Sequence, residues 1–404
     1  MSRQVVIVGA GHASGQVIAT LQQKKFDGQI VLVGDEAYLP YQRPPLSKKY
    51  LDGKLPPERL LVKPPGFYDA PGIEVRLNTR VRSIDRDKRT VATDHGDDLP
   101  YDTLVLATGS DAIRLPVDGN SLDGVHYLRT IRDVDAIRAR LATAKRAAII
   151  GAGYIGLEVA AVLRTRGLDV TVVEMADRVM SRVVSADVSD FYQQVHASHG
   201  VDLRLSTACR RFIGDERVTA VETADGQTID VDFVVVGAGI TPATSLAVAA
   251  GLDVDNGIVV DEFCLTSDPH IYAVGDCSSH PNDIYRRHVR LESVHNALEQ
   301  AKTAALAICG ERAAYQQVPW FWSDQYDLKL QIAGLSAGFD DVVIRGDRDA
   351  HAFSCAYLKD DRLIAVDAIN SPRDFMQSKP LIAAQKRVDR SRLADASEML
   401  KDLA

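Results

Sequence analysis

Two glycine-rich turns carry the clearest chemical signal in the sequence. In residues 5–21 (VVIVGAGHASGQVIATL) and 147–163 (AAIIGAGYIGLEVAAVL), an apolar run leads into a Gly-x-Gly turn and then into a segment with apolar residues at helical spacing. Such a turn lets backbone N–H groups at a helix N-terminus approach a phosphate without a Cβ atom in the way. The pattern indicates the binding of a dinucleotide pyrophosphate, twice in one chain.

The two copies differ at the third glycine position of the motif. The second copy has Gly156 there, whereas the first copy has Ser14. The third residue serves the packing of helix on strand, and serine is small enough to take this place. The predicted cofactor-binding residues of the two motifs are Gly9, Gly11 and Ser14 in the first copy and Gly151, Gly153 and Gly156 in the second.

Each copy continues into a second apolar strand that ends in an acidic residue, Asp35 in the first copy and Glu174 in the second. A carboxylate at this place accepts hydrogen bonds from ribose hydroxyls. Because a 2′-phosphate beside Glu174 would suffer charge repulsion, the second copy favours NADH over NADPH. Arg178 and Arg182 follow closely and leave weak NADPH use open. Two dinucleotide sites predict FAD and a nicotinamide nucleotide, since hydride can pass between these two.

Composition and charge place the chain among ordinary globular proteins. It has 404 residues, 46% hydrophobic and 25% charged, with 47 Lys and Arg against 55 Asp and Glu, a net charge of −8. This length allows two or three domains of roughly 100–200 residues each, and the acidic balance argues against nucleic acid as a partner. No apolar stretch approaches the roughly 18 residues of a membrane helix. The short N-terminal apolar run leads directly into a glycine turn, unlike a signal peptide. We therefore expect a cytoplasmic protein without a membrane partner.

Cysteine and histidine spacing predicts neither a metal site nor an internal disulfide. His196 and His199 are three residues apart, but no third ligand accompanies them. No Cys-x-x-Cys pair occurs, which favours reduced thiols. The cysteines are Cys209, Cys264, Cys277, Cys309 and Cys355.

The order of these motifs resembles the two-dinucleotide flavoprotein reductases, which have the glutathione-reductase-like fold. In that family the first glycine motif binds FAD and the second binds NAD(P)H. The family's Ala-Thr-Gly and Gly-Asp segments are matched by residues 107–109 and 275–276. Within the family, the sequence is most similar to ferredoxin reductases of the putidaredoxin reductase type. Strings that carry this likeness are RPPLSK (43–48), YLRT (127–130), GYIGLE (153–158), LESV (291–294) and PWFWSDQ (319–325).

The resemblance implies an α/β fold with two Rossmann-like dinucleotide-binding domains and a C-terminal α+β domain. The FAD-binding domain would comprise residues 1–111 and 241–318. The NAD-binding domain would comprise residues 112–240, and the C-terminal domain residues 319–404.

Lys48 and Glu158 are the predicted catalytic residues. Glu158 lies among apolar residues in the helix after the second glycine motif, where a carboxylate is costly to bury without a partner. The resemblance implies that Lys48 is this partner and that the pair lies beneath the reactive edge of the flavin. There the cation would stabilise the anionic reduced flavin. The alternative is that Lys48 is an ordinary surface lysine.

Further positions match the family's cofactor contacts. By the resemblance, Tyr154 would lie over the flavin face and Trp322 near its exposed side, although either ring could simply be a packing aromatic. Ala13, Val81 and Val294 match backbone contacts to FAD. The other positions that the resemblance implies at the two cofactors are Arg43, Thr108, Gly109, Arg129, Ile155 and Asp276, with Lys48 included.

The absence of an N-terminal cysteine bears on the electron acceptor. Disulfide reductases of this fold place redox cysteines in the region of residues 38–48, whereas the first cysteine here is Cys209. The resemblance thus implies an NADH-dependent reductase that passes electrons singly from FAD to a two-iron ferredoxin serving a monooxygenase. Two alternatives stay open: a reductase of a small acceptor such as monodehydroascorbate or a quinone, and a flavoprotein of the apoptosis-inducing-factor type. Basic residues in segments 286–302 and 373–392 are candidates for docking an acidic ferredoxin.

Overall fold

Strands and short helices alternate along the chain in a computed structural model that describes residues 3–403. Met1, Ser2 and Ala404 lie outside the described residues. The first strands are β1 (Arg3–Val8), β2 (Gly28–Val33), β3 (Ile73–Arg76), β4 (Val81–Asp85), β5 (Thr90–Thr93), β6 (Asp98–Pro100), β7 (Thr103–Leu106), β8 (Ser110–Ala112), β9 (Val125–Tyr127), β10 (Arg146–Ile150), β11 (Asp169–Val173), β12 (Asp202–Arg204) and β13 (Cys209–Gly214). The later strands are β14 (Val218–Thr223), β15 (Thr228–Asp230), β16 (Phe233–Val236), β17 (Ile240–Pro242), β18 (Ile258–Val259), β19 (Ile271–Ala273), β20 (Ser278–Asn282), β21 (Arg287–Val289), β22 (Trp320–Gln325), β23 (Leu328–Gly334), β24 (Asp341–Asp347), β25 (Ala352–Lys359) and β26 (Arg362–Ile369).

The helices are mostly short, and several follow directly on a strand. The α-helices are α1 (His12–Gln23), α2 (Pro65–Tyr68), α3 (Ile131–Arg140), α4 (Tyr154–Thr165), α5 (Ala186–Ser198), α6 (Ser245–Ala249), α7 (Val294–Ile308), α8 (Pro372–Ala384) and α9 (Arg390–Ala394). Short 3₁₀ turns cover Pro44–Ser47, Pro57–Leu60, Gly275–Cys277 and Leu400–Asp402.

The described chain divides into two compact units, each built from separate segments. The first unit contains residues 3–42, 58–111 and 241–319, and the second contains 43–57, 112–240 and 320–403.

A parallel five-stranded sheet forms the centre of the first unit, in the order β19-β7-β1-β2-β3. The strand β1 is apolar throughout its second half because both faces are covered. Val5 and Ile7 face the core shared with α1 and α7, whereas Val6 and Val8 face the opposite core. Parallel pairing brings the carboxyl ends of β1 and β2 to the same edge of the sheet, where the first glycine turn begins.

The second unit repeats this arrangement and adds an antiparallel sheet. Its parallel sheet has the order β12-β11-β10-β16-β9, and the three-stranded sheet β13-β14-β15 packs on one face through Phe212 and Val221. The C-terminal sheet has the order β22-β23-β26-β25-β24, with α8 packed on β23 and β26. Strands β25 and β26 are buried along nearly their whole length.

The predicted fold class is confirmed by these sheets, since each glycine motif opens a β-α-β unit in its own parallel sheet and an α+β domain follows. The predicted domain boundaries stay a prediction. The compact units group residues 43–57 and 320–403 with 112–240, rather than separating a C-terminal domain. Within residues 3–403, no helix is both long and apolar enough to cross a membrane.

Asp367 is a buried carboxyl group in the middle of the C-terminal sheet, with a side chain only 1% exposed. The Tyr357 hydroxyl donates to its Oδ2, and that hydroxyl in turn accepts from the backbone N–H of Ser185 at 2.9 Å. Among the described residues, no group bonds to Oδ1. Burial raises the pKa of Asp367 to about 7. Folding therefore favours the neutral acid at this position.

The replacement Asp367→Asn should change how stability depends on pH. Between about pH 4 and pH 7 the folded protein holds a proton on Asp367 that the unfolded chain has released, so wild-type stability falls as pH rises, by roughly 4 kcal/mol in total. The asparagine side chain does not titrate, so it contributes no such pH dependence to stability. Urea unfolding from pH 4.5 to 8 should therefore show that the free energy of unfolding of the variant increases relative to that of the wild type as pH rises. Asp341→Asn on β24, with a side chain 40% exposed, is the control. If the free energies of unfolding of Asp367→Asn and the wild type differ by a constant amount across this pH range, the raised pKa of Asp367 is contradicted.

Candidate functional site

The first glycine turn is shaped for close approach of a ligand. Gly9 has φ +106°, and a Cβ atom on it would lie 2.2 Å from the carbonyl oxygen of Ala107. A Cβ atom on Gly11, in contrast, would meet no protein atom within 4 Å. Helix α1 begins one residue later, so its free N–H groups border this open position. The turn thus has the form of an anion-binding cradle.

Ser14 fills the third position of this motif by hydrogen bonding. Its hydroxyl accepts from the backbone N–H of Gly11 and donates to the Gly11 carbonyl, both at 2.9 Å. The side chain is fully buried, and Ala13 beside it is 6% exposed. Serine therefore closes the first turn of α1 in addition to packing against the sheet.

The acids after β2 have different surroundings. Asp35 is exposed, and its carboxylate lies 3.5 Å from the guanidinium of Arg80. Glu36, which is not among the predicted site residues, accepts a hydrogen bond from the Tyr41 hydroxyl at 2.6 Å. Asp35 as the ribose contact stays a prediction. In the register of the sheet, Gly34 and not an acid follows directly on β2, since Val8 pairs with Val33.

The remaining predicted FAD contacts of the first unit lie at strand ends and a helix start. Thr108 donates to the carbonyl of Ala243 at 2.7 Å, and Gly109 has φ +67°. Asp276 accepts from the Ser110 hydroxyl at 3.4 Å. Val81 opens β4 and is 7% exposed, and Val294 is the first residue of α7.

Gln300, which no motif in the sequence indicates, holds the turn that carries Asp276. Its Oε1 accepts from the backbone N–H of Gly275 at 2.7 Å and from the Ser278 hydroxyl at 2.8 Å. The side chain is fully buried. A buried polar residue on the apolar face of α7 is the pattern that could have signalled this role.

The second glycine turn, in the second unit, repeats the cradle. Gly151 has φ +103°, and a Cβ atom there would lie 2.5 Å from the carbonyl oxygen of Gly237. On Gly153 a Cβ atom would meet nothing within 4 Å, whereas on Gly156 it would lie 2.0 Å from the carbonyl oxygen of Gly151. Ile155, in the first turn of α4, is 40% exposed. The residues present therefore fit a pyrophosphate at Gly153.

Glu174 borders this second cradle. Its Oε2 accepts from the backbone N–H of Ala152 at 2.6 Å, and its Oε1 accepts from that of Ala176 at 2.8 Å. The carboxylate is thus fixed beside the turn. The guanidinium of Arg178 donates to the carbonyls of Ser181 and Val184, at 2.7 Å and 3.0 Å. Arg178 is therefore committed to its own loop, which leaves Arg182, an exposed residue, as the remaining nearby cation from the sequence analysis.

The structure brings Lys48 and Glu158 together. The ammonium Nζ of Lys48 lies 2.6 Å from Oε2 of Glu158, with side chains 16% and 3% exposed. Ser47 donates to the same Oε2 at 2.5 Å, and Ser323 donates to Oε1 at 2.6 Å. Both serines are buried and were missed by the sequence analysis. The carboxylate of α4 is therefore held by residues of the 3₁₀ turn 44–47 and of β22, which both pack on this helix.

Aromatic rings and two arginines complete the predicted set in the second unit. The rings of Tyr154 and Phe321 are 4.9 Å apart, and that of Trp322 lies 6.3 Å from Phe321. Burial raises the pKa of Tyr154 well above its ordinary value, which keeps its hydroxyl neutral. Arg43 donates to the carbonyl of Arg129 at 2.8 Å. The roles of these residues toward a cofactor stay predictions.

Comparison with known proteins gives matches along the whole chain. Residues 3–301 match the family described as pyridine nucleotide-disulphide oxidoreductase, and residues 320–404 match the one described as reductase C-terminal. The ferredoxin reductase subunit of 5,5′-dehydrodivanillate O-demethylase from a Sphingobium species is 45% identical over 401 residues, covering 98% of this chain and 97% of the relative. Putidaredoxin reductase from Pseudomonas putida is 44% identical over 405 residues, covering 99% and 96%. A chain of the covalent putidaredoxin reductase–putidaredoxin complex matches with a TM-score of 0.96 at 43% identity, covering 99% of this chain and 98% of that one.

Alanine replacements at two glycines of the second turn should have different effects, one on folding and the other on NADH binding. Gly156→Ala places a methyl group 2.0 Å from a backbone oxygen, so we expect poor folding or a clearly lowered melting temperature. Gly153→Ala meets no protein atom within 4 Å and has a negative φ of −75°, so the fold should persist. Its methyl group would occupy the approach of the pyrophosphate, and we expect NADH affinity to fall roughly tenfold or more. Thermal unfolding and NADH titration measure the two effects. Wild-type NADH affinity in Gly153→Ala would place the nucleotide elsewhere.

Proposed function

We propose, from the premise that this chain belongs to the pyridine nucleotide-disulphide oxidoreductase family, that it carries electrons from NADH through FAD to a two-iron ferredoxin serving a monooxygenase. The family membership confirms the resemblance drawn from the sequence, and the chain is an oxidoreductase. The named relatives reduce ferredoxins according to their names, and their likeness extends over nearly the full length of both chains. This supports a protein as the electron acceptor here.

One observation carries the proposal: Lys48, paired with the buried carboxylate of Glu158, lies in the segment in which disulfide reductases of this fold place their cysteines. Lys48 and Glu158 are in contact at 2.6 Å, and no cysteine precedes Cys209 in the sequence. Without a dithiol beside the flavin, electrons have no internal acceptor. Electrons would then pass directly to a separate partner or substrate, and the likeness to ferredoxin reductases favours a protein.

The chain's own residues fit the two cofactors of the family. Gly11 and Gly153 leave open positions at the starts of α1 and α4, where backbone N–H groups would bind the two pyrophosphates. Bound FAD supplies the redox chemistry, accepting a hydride and releasing electrons one at a time. The ammonium of Lys48 provides a fixed positive charge that would stabilise negative charge on bound, reduced FAD. Glu158 holds this ammonium in place.

Docking of a ferredoxin requires local basic residues, since the chain as a whole has a net charge of −8. In segment 286–302, Arg287 and Lys302 are exposed. Arg290 is not available, because its side chain is 12% exposed and pairs with Glu292 at 2.6 Å. In segment 373–392, the ammonium of Lys379 lies 4.8 Å from the centroid of the Trp320 ring, a cation–π contact. Among the basic residues of segment 286–302, Arg290 is therefore not part of the proposed docking surface.

A cytoplasmic location is part of the proposal. The proposed electron donor, NADH, is a cytoplasmic metabolite. The cysteines of the described chain are unpaired, as is usual in a reducing compartment.

A ferredoxin should accelerate electron flow through the purified holoprotein. With NADH as donor and cytochrome c as the final acceptor, we expect addition of a two-iron ferredoxin such as putidaredoxin to raise the rate roughly tenfold or more. The physical reason is that a docked ferredoxin would take electrons directly from bound FAD and carry them on to cytochrome c. Monodehydroascorbate and a soluble quinone serve as competing acceptors. Faster reduction of either one, with no response to ferredoxin, would favour a small-molecule reductase instead.

Glu174 should determine the preference for NADH. We expect the wild type to use NADH at least about tenfold more efficiently than NADPH, equivalent to roughly 1.4 kcal/mol. Glu174→Gln keeps the side-chain shape and one acceptor oxygen but removes the charge, so the preference should narrow through a gain with NADPH. Steady-state kcat/KM for both nucleotides measures it, with Asp202→Asn on β12 as an exposed acidic control. Equal wild-type efficiencies would contradict this assignment.

A further inference from the structure

A buried hydrogen-bonded chain leads away from the Glu158 carboxylate, entirely within the second unit. Oε1 of Glu158 accepts from Ser323 at 2.6 Å, and the Ser323 hydroxyl accepts from Nε2 of Gln325 at 3.2 Å. Oε1 of Gln325 lies 2.8 Å from Nε2 of His196. Ser323, Gln325 and His196 are each 0% exposed. The Tyr326 hydroxyl, 3.4 Å from Nδ1 of His196, ends the chain in a turn at the surface.

The direction of each hydrogen bond follows from the charge of Glu158. A carboxylate paired with an ammonium group has no proton to give, so Ser323 must donate to it and can only accept from Gln325. With its Nε2 toward Ser323, the Gln325 amide turns its oxygen to His196, which must then donate from Nε2. Burial lowers the pKa of His196 to about 4, so the imidazole is neutral near pH 7 and carries its proton on Nε2.

Gln325 fixes the direction in which the Ser323 hydroxyl donates its hydrogen bond. An amide nitrogen cannot accept a hydrogen bond, so Ser323 cannot turn its proton away from Glu158 while Gln325 keeps its orientation. His196 maintains that orientation by donating to the amide oxygen. The other carboxylate oxygen, Oε2, is held by Lys48 and Ser47. Every donor in contact with Glu158 is thus aimed at it.

We propose that Ser323, Gln325 and His196 are positioning residues that keep the Glu158 carboxylate an acceptor aimed at Lys48. The inference rests on the proposed function of Lys48 and Glu158. The positive end of the Ser323 hydroxyl dipole offsets part of the carboxylate charge, so that the cation of Lys48 dominates the field the pair exerts. Without this hydroxyl, more negative charge remains uncompensated, and the reduced flavin becomes less favourable.

The first test compares Ser323→Ala with two references. We expect its limiting rate of anaerobic flavin reduction at saturating NADH to fall about tenfold, with NADH affinity unchanged. The flavin midpoint potential should move in the negative direction, as it should in Lys48→Met, where the cation is lost. Ser354→Ala is the matched control, because Ser354 lies on β25 of the same sheet and its buried hydroxyl donates at 2.9 Å to the carboxylate of Asp374 on α8. This control should keep the wild-type rate and potential.

Gln325→Glu tests separately whether Gln325 fixes the direction of the Ser323 hydrogen bond. It also provides a test if Ser323→Ala fails to fold. Glutamate has nearly the same shape but offers Ser323 an acceptor, so rate and potential should shift as in Ser323→Ala. Ser323→Thr retains the hydroxyl and should restore both. In the Lys48→Met background, Ser323→Ala should have a much smaller effect than in the wild type, since both act through one pair.

Nitrogen-15 NMR of histidine-labelled holoprotein gives a readout that does not depend on turnover. At pH 7 we expect His196 as the neutral tautomer with the proton on Nε2. An imidazolium or an Nδ1-protonated ring would overturn the proposed hydrogen-bond direction. Wild-type rate and potential in folded Ser323→Ala and Gln325→Glu would overturn the positioning role. Should Lys48→Met also behave as wild type, the proposed role of the ion pair itself would be the part that fails.

Discussion

Burial of the Glu158 carboxylate imposes the strictest requirement on the second unit. With 3% of its side chain exposed, this charge must be matched by donors, because an unpaired buried carboxylate costs several kcal/mol. The donors come from Ser47 and Lys48 on one side and from Ser323 on the other. Segments far apart in sequence must therefore meet on α4, and the 3₁₀ turn and β22 do so.

Both glycine turns leave room for a phosphate at a helix N-terminus, although the third residue of the motif differs between them. In the second turn, the carbonyl oxygen of Gly151 lies where a Cβ atom on residue 156 would be, so only glycine fits. In the first turn, Ser14 is accommodated and bonds back to Gly11. Both turns nevertheless leave the middle glycine open at a helix N-terminus, and this shared feature is what phosphate binding requires.

The acids beyond the turns show how a one-residue difference changes an environment. Glu174 follows directly on β11 and bonds to a backbone N–H of its glycine turn at 2.6 Å. In the first unit, Gly34 takes the equivalent place after β2, and Asp35 is exposed. Parallel pairing sets which residue ends the strand, and a single inserted glycine displaces the acid from the turn. The same sequence motif therefore predicts the region of an acidic contact better than its contact atoms.

The sequence by itself determined the fold class, both glycine turns and the absence of an N-terminal cysteine pair, because spacing, periodicity and residue type are local properties. The pairing of Lys48 with Glu158 was implied by the resemblance to a family, and the structure confirms the contact. It did not contain the partners of buried polar groups. Ser323, Gln325 and His196 meet only when β22 and α5 pack in the same unit, and Arg178 and Arg290 prove to be committed to neighbours. Such partners are decided by tertiary structure, since a buried donor or acceptor must be satisfied by whatever group packing brings within about 3 Å.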